Sequence, residues 1–313
     1  MKYSLIIPVY RNAANVPSLV DAIVKMRERV GDGFEVVFVI DGSPDNSAEL
    51  LMDAAKNFDF AYKIAFHSRN FGSFAAIRTG LGLATGKYLA VMAADLQEPP
   101  ELIEMFFQIL ENDEADVVFG QRVARNDPFI SRKLSELFWG VYRRYVVRDM
   151  PAGGVDIFAC NRSVLDATLS IVEPNSSLIA QLFWVGFRRK FVPYTRRRRE
   201  HGVSAWNLSR RFRYMMDSIL AFSDLPIMIA LWLGIMGCSI SVVLSVVTAV
   251  ARITGYIHEA GYASLFILIM FFGSLILMVQ GILGCYTWRT AENTKRRPLS
   301  IVSHVMESPT SIK

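Results

Sequence analysis

The stretch Glu35-Val36-Val37-Phe38-Val39-Ile40-Asp41-Gly42-Ser43-Pro44-Asp45-Asn46-Ser47 carries the logic of the fold in thirteen residues. Glu35 to Ile40 is a largely apolar run rich in β-branched side chains, which is strand chemistry. Asp41 to Asp45 is turn chemistry, and Asn46 or Ser47 can cap a helix behind it. The same alternation repeats outward. Tyr3 to Tyr10 reads as a buried strand with Leu5, Ile6, Ile7 and Val9 in a row, and a helical pattern follows from about Val16 to Val30. Toward the C-terminus, Tyr62 to Phe66, Tyr88 to Met92 and Asp116 to Phe119 read as strands. Gly72 to Ala84, and the segment from Pro99-Pro100 to about Leu110, read as helices. Strands alternating with helices at this spacing predict an α/β class with a mostly parallel, doubly wound sheet. Such sheets bind ligands outside the carboxyl ends of their strands, where Asp41 and Asp95 fall.

The chain has 313 residues and a net charge of +5, with a mean hydropathy of +0.29. That length suits one α/β domain plus an appendage. The apolar excess is C-terminal. Leu225 to Ala251 and Ala260 to Trp288 contain no charged residue, and each exceeds the roughly 20 residues that span a bilayer. They predict a transmembrane hairpin, with Trp232 and Trp288 as candidate interfacial anchors. Its flanks are basic (Arg210, Arg211, Arg213, then Arg289, Lys295, Arg296, Arg297), whereas the Arg252 to Glu259 loop is not. The positive-inside rule then places the N-terminal domain in the cytoplasm of a multi-pass protein of the cell (inner) membrane. The boundaries expected are 1–210 for the domain, 225–289 for the hairpin (about 225–251 and 260–288) and 290–313 for a cytoplasmic tail. The basic cluster from Arg188 to Arg213 ends just before the hairpin, so a membrane surface or lipid phosphate is its expected partner, not nucleic acid. Leu5 to Val9 is too short for a signal-peptide core. Cys160, Cys238 and Cys285 have neither zinc nor disulfide spacing, which suits a reducing compartment.

Four ordered motifs carry a family resemblance. They are Pro8-Val9-Tyr10, Asp41-Gly42-Ser43-Pro44-Asp45-Asn46-Ser47, Ser68-Arg69-Asn70-Phe71-Gly72, and Asp95-Leu96-Gln97-Glu98-Pro99-Pro100-Glu101. Together they resemble the family-2 glycosyltransferases, and more narrowly the polyprenyl-phosphate (dolichol- or undecaprenyl-phosphate) branch with two C-terminal membrane helices. The match runs on through Gly120-Gln121-Arg122, the segment of Asp127, Phe129, Arg132, Ser135 and Phe138, Asp156-Ile157-Phe158, and Arg199 to Trp206. The resemblance implies a GT-A (Rossmann-like) domain. It also implies inverting transfer of a sugar from a nucleotide-sugar donor to a polyprenyl phosphate, with Mg²⁺ or Mn²⁺, in a homo-oligomer at the membrane.

The residues give that implication a physical form. A nucleotide-diphosphate leaving group develops negative charge, which a hard cation on oxygen ligands stabilises. Asp95 and Gln97 supply a carboxylate and an amide carbonyl two residues apart and are the candidate metal ligands. Asp95 is also a candidate catalytic residue, the plain alternative being a helix-capping acid before Pro99-Pro100. The family's usual acid two positions earlier is Ala93 here. Pro8, Tyr10, Asp41, Asn70, Gly72 and Asp95 are the expected nucleotide-sugar contacts, with Ile40 standing where the family often has a second acid. A plain turn is the alternative for Asp41. Asp156, the second candidate catalytic residue, follows Gly153-Gly154. It would orient acceptor or donor sugar, because a phosphate monoester, with its second pKa near about 6, has little need of a base. Arg122, Arg132 and Arg199 are candidates for gripping the lipid phosphate by bidentate contacts, whereas Ala205 replaces an expected lysine. Segments at about 129–147 and 204–222 are expected as interfacial amphipathic helices. His67 and His201 have no partner motif and receive no role. Two other readings stay open: a different lipid or glycan acceptor, and an inactive sugar-nucleotide-binding scaffold marked by Ala93 and Ile40.

Overall fold

The computed structural model describes residues 1–122, 140, 143–144, 149–151, 155–173, 176–197, 216, 219, 223, 225–255 and 261–308. The chain divides into two compact units, Met1–Tyr214 with Pro298–Lys313, and Met215–Arg297.

The first unit is built on an eight-stranded sheet. In chain order its elements are β1 (Tyr3–Val9), α1 (Val16–Val30), β2 (Phe34–Ile40), α2 (Ser47–Ala55), β3 (Ala61–His67), α3 (Ser73–Leu83), β4 (Tyr88–Val91), α4 (Pro100–Glu111), β5 (Val117–Arg122), β6 (Val155–Asn161), α5 (Arg162–Ser170), α6 (Leu178–Trp184), β7 (Arg189–Tyr194) and, after the second unit, β8 (Val302–Glu307). Strand order is β7-β5-β6-β4-β1-β2-β3-β8. The pairs β1–β2, β1–β4, β2–β3 and β5–β7 are parallel, whereas β6 and β8 run antiparallel to their neighbours.

Every residue of β2 is buried, as a central parallel strand covered on both faces should be. The pleat sends alternate side chains to opposite faces. Leu5, Ile7, Val36, Phe38 and Ile40 join one core with Leu19, Ile23 and Met26 of α1 and Phe106 of α4. Ile6 and Val39 instead meet α3 at Gly80, where a Cβ would stand 2.5 Å from Ile6 Cγ2. Only glycine lets α3 lie this close to the sheet.

Arg78, two residues before this contact, ties α3 to α5 and α6. Its guanidinium donates to the carbonyls of Thr168, Leu169 and Ile171 at 3.3, 3.1 and 2.8 Å and to Gln181 Oε1 at 2.8 Å. The Leu169 and Ile171 carbonyls lie beyond the reach of the helix's own amides, whereas the Thr168 carbonyl also accepts from the Ile171 amide at 3.3 Å. Burial lowers the Arg78 pKa from its ordinary value.

The sequence predicts a tail at 290–313. Residues 302–307 are instead the edge strand β8, paired to β3 from Lys63–Glu307 to His67–Val302. Pairing over such a sequence distance leaves no local signal in a short run of strand-forming residues.

The second unit holds two long helices, α7 (Leu225–Ile253) and α8 (Tyr262–Thr294). They touch where Gly237 faces Phe272 and Leu275. Among the described residues one segment, Phe271–Thr294, is long and apolar enough to cross a membrane. Many large apolar side chains are exposed on both helices, including Ile229, Trp232 and Val243 on α7 and Ile269, Leu277 and Trp288 on α8.

Candidate active site

The carboxyl ends of β1 and β2 lie side by side, with Val9 paired to Ile40, so the loops behind them meet. Arg11 N–H donates to Ser43 Oγ at 2.7 Å, Asn12 N–H to Ser47 Oγ at 3.1 Å and Ala13 N–H to Asp45 Oδ2 at 3.0 Å. The hydroxyls of Ser43 and Ser47 donate to Asp45 Oδ1 at 2.5 and 2.7 Å. Burial alone would push the Asp45 carboxyl up. The hydrogen bonds from Ser43, Ser47 and the Ala13 amide outweigh it and hold the group below its ordinary value. Pro8 and Tyr10 are half-buried at this junction, and the Arg11 guanidinium lies 5.4 Å from the Tyr10 ring centroid.

Asp41 is 2% exposed. Its Oδ1 accepts from the Phe71 amide at 2.8 Å and its Oδ2 from the Gly72 amide at 2.8 Å. His67 Nδ1 lies 2.8 Å from the same Oδ1. Asp41 therefore builds the loop that carries Asn70 and Gly72. Gly42, at φ +59, lies so close to that loop that a Cβ would stand 2.5 Å from Asn70 N. Gly72, at φ +98, is the N-cap of α3, and Asn70 is exposed. His67 was missed in the sequence because its partner stands 26 positions away and no motif links the two.

Asp95 and Gln97 follow β4 on the same sheet edge, both half-buried. Leu96 between them has φ +52, an uncommon conformation for a side chain of its size. Its packing against the main core holds the turn in that shape. The alternative role of Asp95 as a helix cap is not realised: the N-cap of α4 is Pro99, with no side-chain cap bond. Asp95 Oδ1 instead accepts from the Gln97 amide at 3.3 Å.

The loop is clamped from across the sheet. Arg197 N–H donates to the Gln97 carbonyl at 2.8 Å, and Gln97 Nε2 donates to the Arg197 carbonyl at 3.4 Å. Arg196 pairs with buried Glu98 at 3.5 Å and Arg197 with Glu101 at 3.4 Å. Gln97 thus spends its amide N–H on protein, and its side-chain oxygen is the atom suited to a cation. One carboxylate and one amide oxygen, with phosphates supplying further oxygens, is a donor set that Mg²⁺ accepts. Among the described residues no cluster of three or more His, Cys, Asp or Glu side chains forms a fuller cage.

The basic cluster from Arg188 to Arg213 is described as far as Arg197. In its described part each cation meets a carboxylate: Arg188 pairs with Asp113 and Asp116, Arg189 with Asp149, and Lys190 with Glu114. Arg196 and Arg197 are the loop clamps just described. The charge of the stretch 188–197 is thus matched by carboxylates of the same unit. The Arg188 guanidinium holds the Asp116 carboxyl below its ordinary value. The stability it lends is present above the unfolded carboxyl pKa and is lost as pH falls through the lowered folded value.

Arg122 ends β5, half-buried, in register with Tyr194 of β7. Asp156 is the second residue of β6, next to Val155, which pairs with Gln121. Because β6 is antiparallel, its beginning lies at the carboxyl edge of β4 and β5. Backbone register therefore brings Tyr10, Asp41, Asn70, Gly72, Asp95, Gln97, Arg122 and Asp156 to one edge of one sheet. Arg132, Arg199 and Gly153-Gly154 lie outside the described residues, as do most of the segments expected at about 129–147 and 204–222.

Comparison with known proteins agrees with this architecture. Residues 4–169 match the sequence model of the family described as glycosyl transferase family 2. A Bacillus subtilis (strain 168) relative named as an uncharacterized glycosyltransferase, YkcC, is 30% identical over 304 residues, covering 96% of this chain and 93% of its own. A bactoprenol glucosyl transferase of Shigella phage SfX is 27% identical over 303 residues, covering 96% of this chain and 99% of its own. Among solved structures, a mannosyltransferase from Pyrobaculum calidifontis, in complex with GDP-Man and Mn²⁺, superposes with a TM-score of 0.52 at 18% identity, over 70% of this chain and 63% of that one. That likeness bears on the fold. The family match spans more than half of the chain and contains the motifs that form the sheet edge, and on these grounds the chain belongs to glycosyl transferase family 2.

Proposed function

We propose that this glycosyltransferase moves a sugar from a nucleotide sugar to a polyprenyl phosphate at the cytoplasmic face of the cell membrane, with inversion at the anomeric carbon. The observation that carries the reading is the gathering of Asp95, Gln97, Arg122 and Asp156 at the edge that also holds the Asp41–Asn70–Gly72 loop. The full-length similarity to a bactoprenol glucosyl transferase supports the acceptor class.

Each residue then has a task. The Asp41-built loop receives the nucleotide, and Asp41 acts through Phe71 and Gly72 more than by direct contact. Asp95 and Gln97 would hold the Mg²⁺ or Mn²⁺ of a bound donor, with the diphosphate completing the ligand set. That ion supplies charge neutralisation of the leaving diphosphate. Arg122, with Arg132 and Arg199, holds the acceptor phosphate. An acceptor phosphate oxygen forms the new bond to the anomeric carbon while the bond to the nucleotide diphosphate breaks, its electron pair leaving with the diphosphate. Asp156 orients the reacting groups, since the acceptor is already largely ionised at neutral pH.

Chain connectivity supports the hairpin. The polypeptide leaves the sheet unit, forms α7 and α8, and rejoins the sheet unit as β8. A chain that returns to one compact body crosses a bilayer an even number of times, so a crossing at Phe271–Thr294 would be paired with a second, for which α7 is the available helix. The basic flanks favour the cytoplasm for the sheet unit. A homo-oligomer is part of the same proposal.

The reading is tested by nucleoside diphosphate release. With a matching donor, release by the purified protein should rise at least tenfold when polyprenyl phosphate is added and stop with EDTA, several kcal/mol of leaving-group stabilisation being removed. Release unchanged by the lipid would favour hydrolysis or another acceptor. Release indifferent to EDTA would remove the metal role of Asp95 and Gln97.

A further inference from the structure

A hydrogen-bonded chain runs from the nucleotide-side loop to the segment that follows the membrane helices. Asp41 holds the Phe71 and Gly72 amides. His67 Nδ1 lies 2.8 Å from Asp41 Oδ1, His67 Nε2 lies 2.9 Å from Thr79 Oγ1, and Thr79 Oγ1 lies 2.8 Å from Ser300 Oγ. The His67 and Asp41 side chains are 0% and 3% exposed.

The chemistry gives the chain a direction. An ionised carboxylate only accepts, so Nδ1 carries the proton that His67 gives to Asp41. In the neutral ring Nε2 then accepts, so Thr79 donates to it, and Ser300 donates to Thr79. Ser300 is held by its neighbours: the Ser68 amide donates to the Ile301 carbonyl at 3.0 Å, and β8 follows directly.

We infer that His67, Thr79 and Ser300 are positioning residues for the donor. They fix the Asp41 carboxylate, and through it the Asn70–Gly72 loop, and they make the strand that returns from the membrane helices part of the donor site's support. The inference rests on the nucleotide-sugar reading. Loss of His67 frees the buried carboxylate to turn away from the Phe71 and Gly72 amides, so donor affinity falls while acceptor affinity, set at Arg122, does not.

The test titrates the full-length protein in detergent with UDP and GDP in the presence of Mn²⁺, and measures KM for polyprenyl phosphate. His67→Leu should weaken nucleotide binding about tenfold, the loss of one hydrogen bond to a buried charge. His67→Asn, whose amide can still donate to Asp41, should restore most of it. Thr79→Val and Ser300→Ala should weaken binding by roughly threefold, as neutral hydrogen bonds one and two steps further away. KM for the lipid phosphate should stay unchanged throughout. Equal nucleotide binding by the wild type and His67→Leu overturns the inference alone. So does a loss that falls equally on both substrates, or one that His67→Asn does not repair. If His67→Leu does not fold, the milder Thr79→Val and Ser300→Ala decide by the same criteria. A wild type that binds neither nucleotide overturns the donor reading, and this inference with it.

Discussion

Asp95→Ala is expected to lower sugar transfer by about a thousandfold, the loss of roughly 4 kcal/mol of leaving-group stabilisation, while the protein stays folded. The size follows from how little else the site offers. Ala93 stands where the family often has an acid, and no cluster of three or more metal-binding side chains occurs among the described residues. Asp95 is therefore the main protein carboxylate in the proposed ligand set, with Gln97 adding a neutral oxygen. Asp95 does not cap α4, so its loss leaves the start of that helix intact. Initial rates with and without added Mn²⁺, beside a thermal melt, separate the two effects. A variant that melts like the wild type and keeps full activity would take the metal role away from Asp95. A variant that loses activity only by unfolding would make the residue structural.

Arg78→Met is expected to do the reverse and damage the fold first. It keeps the length of the side chain but removes four hydrogen bonds, three of them to carbonyls at and after the end of α5. The Leu169 and Ile171 carbonyls and Gln181, itself 2% exposed, would lose this donor, while the Thr168 carbonyl keeps the Ile171 amide. The expected loss is about 3 kcal/mol, which lowers the melting midpoint of a unit this size by about 10 °C. Substrate KM values in the fraction that remains folded should not move, since Arg78 faces α5 and α6 and not the carboxyl edge. Equal melting curves for variant and wild type would mean that water replaces the guanidinium at little cost.

The part of the fold legible in the sequence is the part built from local periodicity. Each strand from β1 to β5, and each helix between them, has its apolar pattern and turn residues within a short window, so the boundaries agree with the structure to within a few residues. What was not legible depends on partners far away in sequence. The pairing of β8 with β3 joins segments more than two hundred residues apart. The antiparallel insertion of β6 between β4 and β5 turns on a register that no local pattern encodes. The same division holds at the site. Asp41, Asp95 and Gln97 are read as candidates from their position after strands, whereas the contacts of His67 with Asp41 and Thr79 have no local signal. The run from Arg188 to Arg197 looks like a free basic surface in one dimension. In three dimensions Asp113, Asp116, Asp149, Glu114, Glu98 and Glu101 neutralise it.

The central claim is sugar transfer to a polyprenyl phosphate, and the most direct measurement is a partition assay. The purified full-length protein is incubated with Mg²⁺ or Mn²⁺, polyprenyl phosphate and a panel of labelled nucleotide sugars, and label is counted in the organic phase. The account predicts lipid-soluble label from one donor, absent without the lipid, abolished by EDTA and lost in Asp95→Ala. No organic-phase label from any donor, from a protein that still binds nucleotide, would contradict it.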